Sequence, residues 1–206
     1  MRILYLIAKV TVAWLVVGCS SMPATIDPGD KIDKDKGVLL AAITSDANPR
    51  VMDAWFFYRK KGSKEEQRLD AFGVAGILYK PNDYPAQKSR VGRLVALPLQ
   101  PGEYELFNWM LYIQQLGGYG YLSPKSPPPS HFFTVTPGTV TYLGNLHIDT
   151  IVGKNIFGLE IPVGGNPDIL DSQETDIPLM RKKYPNLGDW PMQTSIPDGK
   201  PWKMLK

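Results

Sequence analysis

The sequence is poor in the residues that carry most enzyme chemistry and most covalent bracing. Among 206 residues there is one cysteine and there are two histidines. A single cysteine, Cys19, excludes an intramolecular disulfide. His131 and His147, with no second cysteine to help, are too few for a structural zinc site, which is four-coordinate. His147 and Asp149 share a strand face and could hold a metal only weakly. Thr139, Thr141 and Asn145 mark that face as solvent-exposed. No Gly-x-Ser-x-Gly and no Ser-x-x-Lys occurs, so two common settings for a serine nucleophile are missing. GGYG at 117–120 and VGGN at 163–166 lack the lysine and helix that complete a phosphate-cradling loop. Glu103 and Glu105 lie one strand step apart beside a turn and point outward, which suits solubility better than acid–base work. No internal repeat of solenoid length is visible.

Charge of one sign is also scarce. Lys and Arg total 23 against 20 Asp and Glu. Removing Arg2 and Lys9 with an N-terminal leader leaves 21 against 20, a net charge of +1. No basic field remains to attract nucleic acid. No cofactor motif is present either.

What the chain does have begins at its N-terminus. Residues 1–18, MRILYLIAKVTVAWLVVG, start positive at Arg2 and Lys9, run apolar and uncharged over 10–17, and end on the small Gly18. This is the grammar of a secretory signal peptide. An uncleaved membrane helix needs about 20 apolar residues, whereas this run is broken by Lys9 and stops at Gly18. Val16-Val17-Gly18-Cys19 resembles the lipobox of bacterial lipoproteins, with Val16 where Leu is commonest. The resemblance implies a diacylglyceryl thioether on Cys19, cleavage before it by signal peptidase II, and acylation of the new amine. Ser20, in place of Asp, implies the outer membrane. Lipidation would also remove the only thiol, and two or more acyl chains hold a protein durably where one does not. Residues 19–37 are polar and alternate in charge, which reads as a flexible tether.

The next region, 38–165, reads as strands. Two Pro-Gly turns organise it, at Pro101-Gly102 and Pro137-Gly138, because Pro fixes φ and Gly supplies a positive one. Tyr104 and Leu106 alternate with Glu103 and Glu105 after the first turn. Val140, Tyr142, Leu146 and Ile148 alternate with Thr139, Thr141, Asn145 and His147 after the second. A period of two is the mark of a half-buried strand. Strands are predicted at 38–45, 53–61, 71–80, 92–99, 103–113, 131–149 and 157–163, with a solvated charged loop at 60–68. The two Pro-Gly turns are expected to close antiparallel hairpins. About eight short strands at this spacing predict an all-β antiparallel sandwich. Tyr104, Leu106, Val140, Tyr142 and Leu159 are expected between its sheets.

In residues 166–206, ETDIPLMRKKYPNL predicts one short helix. Asp176 would cap it, Pro178 would sit in its first turn, and Pro185 would stop it. Ile177, Met180 and Tyr184 fall on one face. The rest is a proline-rich tail expected to pack on the domain, with Trp190 and Trp202 as pegs.

Leu99-Gln100-Pro101-Gly102-Glu103-Tyr104-Glu105-Leu106, with Phe133-Thr134-Val135-Thr136-Pro137-Gly138 and Val140-Thr141-Tyr142-Leu143-Gly144, resembles a group of uncharacterised bacterial lipoproteins. Their domain is similar to the prealbumin-like, or carboxypeptidase-regulatory-like, β-sandwich; the Ig-like arrangement is its near relative. The Leu-x-Pro-Gly-x-Tyr-x-Leu element recurs in surface adhesin modules. The resemblance implies a fold and no chemistry.

One stretch stands outside this scheme. LGGYGYLSPKSPPPS at 116–130 is long for a connection without a role. Tyr119 and Tyr121 there are amphipathic side chains with little entropy to lose on binding. They are the candidate contact residues, for an envelope protein or a glycan. The sequence thus predicts an outer-membrane lipoprotein, held by acylated Cys19 in the lipid bilayer, with a non-enzymatic sandwich module facing the periplasm. An enzyme or enzyme accessory acting on peptidoglycan or glycans, and a surface-exposed adhesin-like module, are the competing readings.

Overall fold

The computed structural model describes residues 25–27, 29–73, 79–197 and 202. The expected signal peptide, residues 1–18, and Cys19 lie outside these residues.

Among the described residues ten strands form two five-stranded sheets. The first sheet contains β1 (Gly37–Asp46), β4 (Arg90–Leu99), β8 (Val140–Lys154), β9 (Glu160–Leu170) and β10 (Met192–Thr194). The second contains β2 (Val51–Lys60), β3 (Gln67–Asp70), β5 (Gly102–Gln115), β6 (Gly118–Leu122) and β7 (His131–Val135). The sandwich expected from sequence is therefore present. It is not wholly antiparallel, because β8 pairs parallel with both β1 and β10.

The Pro-Gly turns are corners, not hairpins. β4 pairs with β1 in the first sheet, and β5 pairs with β2 in the second. β7 pairs with β5, while β8 lies in the first sheet. Each turn therefore carries the chain from one sheet to the other. Gly138 makes the second corner with φ +62, and its amide donates to the Lys36 carbonyl at 2.8 Å. Turn chemistry signals a reversal but does not say which strand becomes the neighbour.

Three other expectations change. Residues 71–73 are a turn, not strand, and the strand edge falls earlier, at β3. Residues 74–78 of the expected 71–80 strand lie outside the described part. Part of the 116–130 stretch is strand and not loop, since β6 pairs with β5 from Leu111↔Leu122 to Gln115↔Gly118. The polar stretch at 19–37 is not free from Ile26 onward. Ile26 is buried, and its amide donates to the Ala96 carbonyl at 2.9 Å.

The main core lies between the sheets. Leu39, Ala41 and Ile43 of β1, with Leu97, Leu146 and Ile148, meet Phe56, Tyr58, Leu106, Trp109, Leu111 and Phe133. A second core covers the outer face of the first sheet. There Val38, Leu40, Ala42, Ala96, Val140 and Tyr142 pack under Met180, Tyr184 and Leu187. β1 is thus buried on both faces, and its uninterrupted apolar run VLLAAI follows from that.

Helix α1 (Gln173–Lys183) supplies the cover. It starts three residues before the expected cap at Asp176. Ser172 is the flanking residue, Asp176 is fully buried, and Pro178 lies inside the helix. Met180 and Tyr184 point inward, and Ile177 packs beside them. Trp202 is buried in the main core, stacked on Phe56 at 6.0 Å, with its indole N–H on the Pro129 carbonyl.

β8 does not alternate as expected. Gly144, at φ +94, sits at a register shift between β8 and β1. A Cβ there would lie 2.8 Å from the Leu170 carbonyl oxygen. Val140 and Tyr142, before the bulge, face the helix, and the change of phase at the bulge turns Leu146 and Ile148, with Leu143, toward the second sheet. Leu159 is not core either. It is 49 % exposed beside the exposed Phe157 and Val163, where β8 and β9 run on as a ribbon past the end of β1.

Candidate functional site

The two outer sheet faces have opposite fates. The first is closed by α1, the tail and Ile26. Among the described residues no helix or tail covers the second, along β2, β5, β6 and β7, and aromatic side chains crowd it. The reason is written in the strand registers. Trp55 and Phe57 alternate with the buried Phe56 and Tyr58 on β2. Tyr112 of β5 stands opposite Tyr121 of β6, and Gln114 opposite Tyr119.

The rings make a contiguous belt. Trp55 stacks on Tyr112 with centroids 6.0 Å apart and lies 5.5 Å from Tyr121. Tyr112 lies 5.1 Å from Tyr121 and 5.4 Å from Tyr119. Phe57 meets Phe107 at 6.5 Å. Tyr119 and Tyr121 keep 58 % and 59 % of their surface in water. Tyr112's phenol titrates above its ordinary value, through burial first and then the neighbouring phenols of Tyr121 and Tyr119.

Cations are threaded through the belt. The Arg68 guanidinium lies 4.1 Å from the Trp55 ring centroid, and that of Arg59 4.4 Å from Phe107. Such contacts are favourable because the ring face is electron-rich. Arg59 is neutralised by Glu105, whose carboxylate accepts its Nε–H at 2.6 Å, and lies 3.5 Å from Glu66. Glu105 also accepts from the Ser130 hydroxyl at 2.7 Å, and the two bonds hold its carboxyl below the usual range. Lys61 pairs with Glu103 at 2.8 Å. Arg68 has no carboxylate partner among the described residues, and its Nε is buried without a hydrogen bond.

Asp53 fixes one end of the belt. Its carboxylate accepts from the Trp55 indole N–H at 2.8 Å, the Ala54 amide at 2.8 Å, the Phe72 amide at 2.9 Å and the Gly73 amide at 3.0 Å. Burial pushes its pKa up to about 6, against those donors, which pull it down. Every partner is a donor, so the hydrogen bonds favour the carboxylate, while burial, the larger effect, favours the protonated acid.

Two other polar clusters are structural in form. Asp176 accepts from Tyr142 at 2.6 Å and Tyr84 at 2.9 Å beneath the helix, and burial raises its pKa. Thr44 donates to Asn145 at 2.6 Å and lies 2.7 Å from Nδ1 of His147, whose Nε2 is 3.1 Å from Asp149. His147 is buried, not solvent-exposed as its polar neighbours suggest, and burial lowers its pKa. Among the described residues no three His, Cys, Asp or Glu gather where they could hold a metal ion. His131 rests on the Ser195 carbonyl at 2.8 Å.

Of the residues singled out from sequence, Tyr119 and Tyr121 sit side by side in this belt. Cys19 lies outside the described residues. Trp55, Tyr112 and Arg68 are missed by sequence reasoning. The signal was available in DAWFFYRKK, where Trp55, Phe57 and Arg59 occupy one phase of a strand and Phe56 and Tyr58 the other.

No family model matches the chain, and no curated protein matches it. Among solved structures it is similar to part of a leucine-rich repeat protein from Bacteroides thetaiotaomicron, at 14 % identity and a TM-score of 0.33. The match covers 58 % of this chain and 14 % of that one. A likeness this weak carries no argument.

Proposed function

We propose that this chain is a lipid-anchored envelope protein whose β-sandwich is a non-enzymatic binding module, with the open face of the second sheet as its contact surface. One observation carries the reading: among the described residues one outer sheet face is covered by the chain's own helix and tail, and the other carries aromatic rings with no such cover. Large exposed aromatic patches on a folded domain are the mark of interaction surfaces. In this reading Cys19 is acylated, the anchor is the outer membrane, and the module faces the periplasm. The sandwich is of the prealbumin-like or Ig-like kind, modified by its parallel β1–β8 pairing. A photoreactive residue placed at Tyr121 should form a discrete adduct in cells, and the same residue at exposed Glu174 on α1 should not. Equal labelling at both positions, or none at Tyr121, removes this face as the contact surface.

A further inference from the structure

We propose that the open face of the second sheet binds an acidic polysaccharide, with sugar rings against Tyr119, Tyr121 and Tyr112 and a sugar carboxylate on Arg68. The inference rests on the binding-module reading and adds the ligand class.

The argument is one of matching chemistry. A pyranose presents a face of C–H groups that is apolar and slightly positive, and an aromatic ring presents an electron-rich face. Around its rim the sugar carries hydroxyls, which need donors and acceptors close to that ring. Tyrosine supplies both from one side chain, and here the Tyr112 ring lies 5.1 Å from that of Tyr121 and 5.4 Å from that of Tyr119, centroid to centroid. A row of rings along a sheet face suits an extended polymer, which needs a track and no deep pocket.

Charge selects the acidic class. Arg59 and Lys61 are matched by Glu105, Glu66 and Glu103. Arg68 is left without a carboxylate among the described residues, and it lies against Trp55 next to the tyrosines. A guanidinium fork recognises a carboxylate through two parallel hydrogen bonds. An unmatched guanidinium beside the rings suits the carboxylate of an acidic sugar seated on them. A nucleic acid would need several unmatched lysines or arginines on its phosphates, whereas Arg59 and Lys61 here are already paired with carboxylates.

The test is isothermal titration of the purified chain with oligomers of galacturonate, alginate and hyaluronate, against neutral cello- and manno-oligomers of equal length. At least one acidic series should bind, at least tenfold more tightly than the neutral ones and more weakly at high salt. Arg68→Gln should abolish that preference, and Arg68→Lys should restore part of it. Tyr121→Ala should weaken acidic binding whatever the charge at position 68. Thermal melts of each variant establish that it is folded. Failure of all three acidic series to bind, equal binding of acidic and neutral oligomers, or a folded Arg68→Gln variant with wild-type affinity would overturn the proposal. If crosslinks at Tyr121 persist in cells while no acidic glycan binds, the contact surface stands and the ligand class falls. If neither is seen, both fall.

Discussion

Single residues decide how much of this protein is fixed by packing and how much by polar anchoring. Asp53 is the clearest case of the second. Three backbone amides and one indole converge on it, and Asp53→Ala would strand them beneath the belt. Unsatisfied buried donors cost about 1–3 kcal/mol each before relaxation. We expect a loss of at least about 2 kcal/mol in denaturant unfolding; a loss near zero would mean that water replaces the carboxylate freely. Leu106 and Leu159 form a matched pair. Both look like core from their alternation, yet Leu106 is fully buried and Leu159 is half exposed. Leu106→Ala should cost about 2–5 kcal/mol and Leu159→Ala should stay within about 0.5 kcal/mol, both read from urea midpoints. Sequence could not separate them, because period two says which residues share a face but not where the opposing sheet ends. His147 gives the pH dependence. Burial first, with Arg90 adding to it, lowers its pKa, while Asp149 and Asp46 act the other way. The unfolded imidazole takes up its proton near its ordinary 6.5 and the folded one resists, so stability should fall as pH drops below that value. Asp53 runs oppositely, contributing most below 3.8 and losing that contribution as pH rises through about 6. His147→Gln should therefore flatten the acid limb relative to wild type, and parallel curves for the two would refute the assignment.

Elements show where local chemistry stops and topology takes over. Both Pro-Gly turns were legible as reversals, and so were β1, β2, β4 and β5 to within a few residues. Their partners were not legible, since pairing is decided by which apolar faces meet. The corners at Pro101 and Pro137 move the chain between sheets, so β5 gains β2 as its neighbour and β8 gains β1. The bulge at Gly144 was hidden for a similar reason: one extra residue changes the phase of everything after it. The 116–130 segment, long for a connection from its sequence, is tied into the fold. β6 adds a strand to β5, Leu122 packs against the main core, and the Pro129 carbonyl accepts the Trp202 indole N–H. Replacing 117–129 by a short Gly-Ser linker should thus remove about 2 kcal/mol or more, lowering Tm by roughly 4–8 °C. A melt unchanged by the replacement would show that the β5–β6 pairing contributes little.

At the scale of the whole molecule the layers set the orientation of the proposed binding face. Helix and tail, first sheet and second sheet stack in that order, so the aromatic belt is the surface farthest from α1. The N-terminal segment joins on the helix side, where Ile26 belongs to the core beneath α1. If Cys19 is acylated, the stretch from residue 19 to residue 26 is seven residues, and an extended chain of that length spans at most about 25 Å. The body would then be tethered close to the bilayer by its helix side, with the open sheet turned away from it. The anchor itself is read from Val16-Val17-Gly18-Cys19, a pattern of covalent processing that packing neither requires nor reveals. Intact-mass and peptide mass spectrometry of the chain from bacterial membranes should find the mature N-terminus at Cys19, carrying a diacylglyceryl group and an amide-linked acyl chain. Cys19→Ser should remove both modifications and leave the leader attached, because the thioether is what the peptidase accepts. Two or more acyl chains hold a protein where one does not, and without them the variant should be missing from the outer-membrane fraction. An unmodified Cys19 or a mature start elsewhere would end the lipoprotein reading. It would leave the open aromatic face, and the glycan titration that tests it, as they are.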